Sequence, residues 1–303
     1  SALELKKVGY FKSCADCKAA GYTASNCRAA GYSAVEAKEA GFSTRQLREA
    51  CYLSTAKDCK DVGCTAKQCR DAGFNGVEFL FPYDFPARDV GQRVRDNGLT
   101  QALFNLPPGD WEAGERGLGA LPGREDEFKA SVEKALTYAE VTGCKTLHAM
   151  AGIVVSDANT EQMFETFVEN LIAAADLCAD AGITIVLEAL NSRDTPGYFL
   201  PHISDAARVA QAVGRPNIGL QFDFYHVQIM DGDLIRNFDL YLDDIGHIQV
   251  SSVQGRHEPT DGEINYPFIF EYINASAYDG WIGCEYMPAG ATQDGLAWLD
   301  AWR

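Results

Sequence analysis

The sequence predicts an α/β fold: a parallel (β/α) barrel of TIM type with one strand fewer than the usual eight, preceded by a solenoid-like arm of short α-helical repeats. Two observations predict it. From Asn75 onward, strand-like runs alternate strictly with helical patterns, which is typical of a parallel sheet with helical crossovers. Before Asn75 a ten-residue unit repeats along the chain, which is typical of a solenoid. We therefore divide the chain into a repeat region, residues 1–74, and a barrel, residues 75–303.

The repeat region contains seven units of ten residues. They read SALELKKVGY, SCADCKAAGY, TASNCRAAGY, SAVEAKEAGF, STRQLREACY, TAKDCKDVGC and TAKQCRDAGF, with two-residue insertions at Phe11-Lys12 and Leu53-Ser54. Each unit opens with Ser or Thr, which are helix N-cap residues, and most close with Gly before an aromatic residue, as helix C-caps do. We predict very short helices, which need neighbours to pack against because helices of this length are unstable alone in water.

Two positions of the unit carry notable side chains. The fifth holds Cys17, Cys27, Cys59 and Cys69 where other units have Leu5, Ala37 and Leu47, so we interpret these cysteines as packing residues. The alternative is a metal site from Cys14 and Cys17 with another pair, but the region has no second CxxC motif.

The sixth position is always basic: Lys6, Lys18, Arg28, Lys38, Arg48, Lys60 and Arg70. These cations either complement the helix dipoles or form a ladder for an acidic partner, and both roles stay open.

Charge and cysteine usage narrow the class of protein. The chain has a net charge of −17, and residues 1–74 hold 12 Lys and Arg against 8 Asp and Glu, so the acidity belongs to the barrel. An acidic barrel argues against a nucleic-acid partner, and no apolar run is long enough to span a membrane. Seven of the ten cysteines follow the repeat register, so we expect reduced thiols and an intracellular location, in the cytoplasm or an organelle matrix. An upstream presequence stays open, because the numbering starts at Ser1.

Seven runs of the barrel region read as strands where a closed barrel of this kind has eight. They are GVEFLF, LTQALFNLP, KTLHAMAG, ITIVLEAL, IGLQFDFY, HIQVSS and WIGCEYMP. Between them lie helical patterns such as EDEFKASVEKALTYAEVTG and TEQMFETFVENLIAAADLCADAG.

Four of these runs each offer one oxygen ligand close to their carboxyl end. Glu188 lies inside a continuous aliphatic run, where an unpaired charge is costly, so it needs a partner. Asp223, Gln249 and Glu285 occupy similar positions in later runs. Because the carboxyl ends of barrel strands meet at one mouth, we predict that these four side chains hold one cation. An all-oxygen ligand set suits Mg²⁺ or Mn²⁺ better than zinc.

Other residues are candidates for substrate binding. His226 follows Asp223 by three residues, and Arg256 lies in the loop QGRHEPTDGEIN, where it would suit a substrate carboxylate. The connection PPGDWEAGERGLGALPGRE is unusually long for a barrel loop, and Trp111 and Arg116 are its expected contact residues. An ordered surface loop that packs its own tryptophan is the alternative.

From about Thr65 onward, these motifs resemble the hydroxypyruvate isomerase family, one of the xylose-isomerase-like barrels. The match rests on VEFLFPYD, LFNLPPGDWEAGERGLGALPGRE, QFDFYHVQ, GRHEPTDGEINY and GCEYMP, in the family's order. The resemblance implies that Glu188, Asp223, Gln249 and Glu285 hold a divalent metal and that the two glutamates act as acid and base. The chain departs from the family at the start of the barrel. The repeats run directly into VEFLFPYD, and the sequence of the family's first strand is not visible.

The resemblance implies an aldose-ketose type isomerase that interconverts hydroxypyruvate and tartronate semialdehyde, or acts on a similar short 2-oxo sugar acid. The alternative is an isomerase-like scaffold or assembly subunit that has lost activity with its first strand. Such a subunit would dock a protein partner, or a second copy, through the repeat arm. In either case we expect the arm or a strand from a partner to cover the opening in the barrel.

Overall fold

A computed structural model describes residues 6–7, 11–30, 32, 34–42, 70, 72–154, 159–290, 292 and 294–302. Contacts divide the chain into two compact units, residues 1–73 with 287–303, and residues 74–286. The repeats between residues 43 and 69, with Cys59, Cys69, Arg48 and Lys60, lie outside the described residues. In the described part of the chain, no helix has the length and apolar character needed to cross a membrane.

Three described repeat units each form a six-residue helix at ten-residue spacing. They are α1 (Cys14–Ala19), α2 (Ala24–Ala29) and α3 (Ala34–Glu39). Ser13 caps α1, because its hydroxyl accepts the Asp16 N–H while the Asp16 carboxylate accepts the Ser13 N–H. Such a reciprocal cap satisfies two backbone donors that a helix start leaves unpaired. Gly21 and Gly41 have φ near +83°, a conformation that glycine adopts without strain.

The small face of the repeats forms a core of its own. It consists of Phe11, Cys14, Cys17, Ala24, Cys27, Ala30, Tyr32, Ala37 and Phe42, all buried. The three cysteines are free thiols, and burial raises the pKa of Cys27 to about 12. A buried thiol with a raised pKa is chemically inert, which favours the packing interpretation of the fifth position.

Two sixth-position lysines bind the unit that lies two repeats further on. Lys6 donates to the Ala30 carbonyl at 3.0 Å, and its ammonium lies 3.6 Å from the Tyr32 ring centroid. Lys18 makes the same pair of contacts with the Gly41 carbonyl and the Phe42 ring. Both cations therefore satisfy carbonyls at helix ends and cover aromatic faces, which favours an intramolecular role for these two lysines.

Residues 74–286 form the predicted parallel barrel. Its strands are β1 (Gly76–Phe79), β2 (Thr100–Asn105), β3 (Thr146–His148), β4 (Thr184–Glu188), β5 (Ile218–Asp223), β6 (Ile245–Gln249) and β7 (Ile282–Gly283). The helices between them are α4 (Ala87–Asp96), α5 (Glu125–Thr142), α6 (Thr160–Ala179), α7 (Ile203–Val213), α8 (Phe224–Met230), α9 (Leu234–Tyr241) and α10 (Tyr266–Ala275). Short 3-10 helices span Leu242–Asp244 and, in the other unit, Asp294–Ala301. The strands pair in chain order, all parallel.

The open side of the barrel lies between β1 and β7, which each pair with one neighbour in the described sheet. Side chains bridge this side. The Trp281 ring lies so close to Gly76 that a Cβ there would meet it at 2.9 Å, and the Glu78 carboxylate lies against Gly283 in the same way. Glycine on each edge strand therefore makes room for a side chain from the other.

Two predicted strands end earlier than the sequence pattern indicated. IGLQFDFY leaves the sheet at Asp223, whose Oδ1 accepts the Tyr225 N–H at 2.8 Å and so caps α8. His226 therefore lies on a helix, where a strand end was expected. In WIGCEYMP, β7 covers only Ile282–Gly283, so Glu285 lies two residues beyond it.

Candidate active site

The four predicted metal ligands lie near the carboxyl ends of four consecutive strands. Glu188, Asp223 and Gln249 are the last residues of β4, β5 and β6, and all three are at least 96% buried. The parallel register sets Asp223 opposite Gln249, and Gln249 opposite Gly283. The fold thus gathers the predicted side chains at one end of the barrel, which is where barrel active sites form.

Glu188 and Asp223 each present a buried oxygen that needs a partner. Glu188 Oε1 and Asp223 Oδ2 have no hydrogen-bond partner among the described residues. They lie 3.9 and 3.6 Å from His226 Nε2, and ligand atoms of the three residues lie within 4.8 Å of one another. Because a buried, unpaired carboxylate oxygen is costly, these two oxygens fit the ligands of a bound cation.

His226 faces this centre as a hydrogen-bond donor. Its Nδ1 accepts the Asn191 backbone N–H at 3.0 Å, so in the neutral ring the proton is on Nε2. Burial, with Arg256 and His148 nearby, keeps the pKa of His226 well below its usual value, so the ring is neutral. A protonated Nε2 cannot ligate a metal but can donate to a carboxylate or a substrate oxygen. The substrate-binding role of His226 stays a prediction.

The Gln249 side chain is held from both sides. Its Nε2 donates to Glu78 Oε1 at 2.8 Å, and its Oε1 accepts from Gln221 Nε2 at 2.6 Å. An amide oxygen has two lone pairs, so Oε1 can accept from Gln221 and still serve as a ligand.

Glu285 pairs with Arg256. Arg256 Nη2 lies 2.7 Å from Glu285 Oε2 and 3.7 Å from Asp223 Oδ2, and the guanidinium lies 4.9 Å from the Tyr225 ring centroid. Arg256 has a φ of +49° and Gln254 a φ of +101°, conformations that non-glycine residues seldom adopt and that cluster at functional sites. The backbone of this loop is therefore strained at Arg256, the residue whose guanidinium contacts Glu285.

The charges of this site match a divalent cation. Glu188, Asp223 and Glu285 carry three negative charges when ionised, and Arg256 offsets one. Burial, with Glu285 and Asp223 nearby, raises the pKa of Glu188 well above its usual value. Burial also raises the pKa of Asp223 to about 7, against the lowering effect of Arg256. Two further positive charges would keep all three carboxylates ionised.

Sequence reasoning missed two polar residues near this site, the buried His148 and the half-buried Glu78. His148, the last residue of β3, lies 3.6 Å from Glu188 Oε2, and burial lowers its pKa to about 3. Neither of its ring nitrogens has a hydrogen-bond partner in the described residues. Glu78 on β1 contacts both His247 and Gln249. The signal was present in each case, since both interrupt an apolar strand as Glu188 does.

The long connection after β2 is ordered by its own contacts. The Arg116 guanidinium stacks 3.8 Å from the Trp111 ring centroid and donates to the Trp111 carbonyl at 3.1 Å. Trp111 also packs edge-on against Phe81, and Arg124 pairs with Glu115 at 2.7 Å. The described contacts of Trp111 and Arg116 are thus with this loop and with Phe81, so their role in substrate binding stays a prediction.

The fold and this site define a class: a parallel barrel enzyme with a buried acidic centre at the carboxyl ends of its strands. Residues 66–302 match the family described as xylose isomerase-like TIM barrel. The chain belongs to that family. Residues 1–76 match a second family, the decapeptide repeat region.

Similar proteins agree with the predicted resemblance. The chain is 49% identical to a 2-oxo-tetronate isomerase of Cupriavidus necator, over 73% of this chain and 85% of that protein. It is 41% identical to the hydroxypyruvate isomerase of Escherichia coli, over 75% of this chain and 88% of that protein. A solved structure described as an AP endonuclease, family 2, from Brucella melitensis superposes with a TM-score of 0.77 at 49% identity, covering 78% of this chain and 92% of that one. An L-ribulose 3-epimerase, at 20% identity and a TM-score of 0.63, shares the fold.

Proposed function

We propose that this protein is a divalent-metal-dependent isomerase. It would interconvert hydroxypyruvate and tartronate semialdehyde, or act on a similar short 2-oxo sugar acid, by proton transfer through an enediolate. The observation that carries the proposal is the pair of buried carboxylate oxygens, Glu188 Oε1 and Asp223 Oδ2, that lack partners in the described structure. Relatives at 41–49% identity named as isomerases of such acids support it.

The reaction needs two proton carriers beside one cation. A proton leaves the hydroxymethyl carbon and a proton is added to the ketone carbon, while the hydroxyl proton passes to the former ketone oxygen. The hydroxymethyl group thus becomes an aldehyde and the ketone becomes a secondary alcohol. Bound Mg²⁺ or Mn²⁺ would supply charge stabilisation for the enediolate oxygens. Glu188 and Glu285 are the proposed acid and base, because both are carboxylates near the carboxyl ends of β4 and β7 and burial raises the pKa of Glu188 in the cation-free protein. His226 would donate its Nε2 proton to a substrate oxygen.

Arg256 is the proposed site for the substrate carboxylate. One guanidinium nitrogen, Nη2, pairs with Glu285. Its Nε is buried and has no hydrogen-bond partner among the described residues, so a donor remains for a carboxylate of the substrate. A carboxylate would make a stronger, charge-assisted hydrogen bond to this donor than a hydroxyl of a neutral sugar would.

The test is a substrate panel with matched variants. Protein loaded with Mn²⁺ should convert hydroxypyruvate or a 2-oxo-tetronate and should lose this activity with a chelator. Glu188→Gln and Glu285→Gln should abolish turnover, because each change removes a proton carrier, whereas Glu133→Gln, at an exposed position of α5, should leave it unchanged. Near-normal turnover in either active-site variant, or no turnover of any short 2-oxo acid by the loaded protein, would contradict the proposal. The second result would favour the scaffold alternative.

A further inference from the structure

Glu78 occupies an unusual position on the open side of the barrel. It lies on β1, where the pairing register with β2 shifts at Val77/Glu78. Its side chain is 19% exposed and reaches residues of β6. Oε2 contacts His247 Nε2 at 2.7 Å, and Oε1 accepts from Gln249 Nε2 at 2.8 Å. One carboxylate from an edge strand thus binds two residues of β6.

Gly283 makes this reach possible. A Cβ at residue 283 would collide with both oxygens of the Glu78 carboxylate. Glu78 therefore lies directly against the backbone of β7, at a residue that pairs with Gln249. Since the carboxylate is confined on that side, its contact with Gln249 is fixed by the fold.

The contact fixes which end of the Gln249 amide faces Glu78. An ionised carboxylate only accepts hydrogen bonds, so it selects the NH₂ end of the amide. The amide oxygen is then turned the other way, towards Gln221 Nε2 at 2.6 Å and the β5 strand that ends in Asp223. Without Glu78, both orientations of the amide would satisfy Gln221, which can donate or accept.

We propose that Glu78 is a positioning residue that orients Gln249 so that its amide oxygen faces the metal site. The inference rests on the proposed function and adds to it a residue that does not touch the metal. The proposed effect of Glu78 on the metal passes through Gln249, and loss of such an orienting group weakens metal binding by about 10- to 100-fold.

A double-mutant cycle tests this assignment. Mn²⁺ affinity is measured by calorimetry for the wild type, Glu78→Gln, Gln249→Ala and the double variant. Glu78→Gln should weaken Mn²⁺ binding about 10-fold or more in the wild-type background and change it little when Gln249 is already Ala, because coupled residues are not additive. Equal losses in both backgrounds would show that Glu78 acts elsewhere and would overturn the proposal. If Glu78→Gln folds poorly, Glu78→Asp replaces it in the cycle, because Asp keeps the charge on a side chain that is one methylene shorter.

A second readout does not depend on the metal. In ¹⁵N-labelled protein the Gln249 side-chain NH₂ should exchange slowly with solvent, because Glu78 holds it, and Glu78→Gln should accelerate that exchange. Unchanged exchange would overturn the proposal even if Mn²⁺ binds. If instead the wild type binds no Mn²⁺ while exchange responds as expected, the proposed function fails and the orienting contact stands.

Discussion

Individual side chains of this centre have roles that follow from their hydrogen bonds. His226 illustrates this, because its distance to Glu188 and Asp223 is compatible with a third metal ligand. The Asn191 backbone N–H, which can only donate, excludes that role by occupying Nδ1 and leaving the proton on Nε2. A position close to two carboxylates is therefore not enough to identify a ligand.

We predict that His226→Ala separates donor from ligand. Turnover should fall about 100- to 1,000-fold, as when a positioned donor to a developing oxyanion is removed. Mn²⁺ affinity should be nearly unchanged, because a protonated Nε2 does not bind metal. His202→Ala, at a histidine of which 42% of the side chain is exposed, is the matched control for both measurements. A loss of Mn²⁺ affinity of about 10-fold or more, as for a ligand or its support, would show that His226 is a ligand.

Metal binding should depend on pH in a direction set by Asp223. Burial raises the pKa of this carboxyl to about 7 in the cation-free protein, and a proton must leave before a cation binds. Mn²⁺ affinity should therefore rise as the pH increases through about 7. Folding stability without the cation depends on pH as well. Between the ordinary pKa of Asp and this raised value, the folded protein binds more protons than the unfolded chain. The contribution of Asp223 to the free energy of unfolding therefore falls as the pH rises. Calorimetry of Mn²⁺ binding across this pH range measures the affinity, and equal affinities at about pH 5.5 and pH 7.5 would contradict the prediction.

Among the elements, the two edge strands depend on glycines whose missing Cβ admits a side chain. Gly283→Ala should push the Glu78 carboxylate away from β7 and lower both the melting temperature and the Mn²⁺ affinity. Overpacking of this kind costs about 1–3 kcal/mol, and each kcal/mol lowers the melting temperature by roughly 2–4 °C in a domain of this size. Gly290→Ala, where an added Cβ meets nothing within 4 Å, is the control. Equal behaviour of the two variants would show that Glu78 does not need the space at Gly283.

The repeat helices give a second prediction at this scale. Cys27 packs in an apolar core with Cys14 and Cys17, so Cys27→Ala should keep the helices. Cys27→Ser should destabilise the helices more than Cys27→Ala does, because its hydroxyl would be buried in an apolar core. Circular dichroism with and without a chelator should be identical in both the wild type and Cys27→Ala. Zinc in the purified wild type that disappears in Cys27→Ala, measured by elemental analysis, would favour the metal-site alternative.

The sequence predicted the elements and part of the site for identifiable reasons. Glu188 and Asp223 could be found because a charge inside an apolar strand needs a partner, and the barrel brings strand ends together. The same rule applies to Glu78 in GVEFLF, but its partners lie on β6, and only the closed curvature of the sheet brings these strands within reach. The extent of β5 was overestimated, because FYH is as apolar as a strand and only the Asp223 cap reveals the helix.

For the whole molecule, the strands that end in Glu188, Asp223 and Gln249 do not border the open side of the described sheet. β4, β5, β6 and β7 are consecutive and paired, and only β7 borders the opening. On that border Glu78 and Trp281 bridge β1 and β7. The acidic centre is therefore assembled by the described strands, which is why we expect isomerisation in a barrel with seven described strands.

One measurement tests that central claim most directly: incubation of the Mn²⁺-loaded protein with hydroxypyruvate in D₂O, followed by proton and carbon NMR. If Glu188 and Glu285 move the proton, the carrier exchanges with solvent before delivery, and tartronate semialdehyde should form with deuterium on the carbon that bears the carboxylate. The same incubation with Glu188→Gln should give no product. Product without deuterium would contradict proton transfer by the glutamates, and absence of product from the loaded wild type, with hydroxypyruvate and with a 2-oxo-tetronate alike, would contradict the account as a whole.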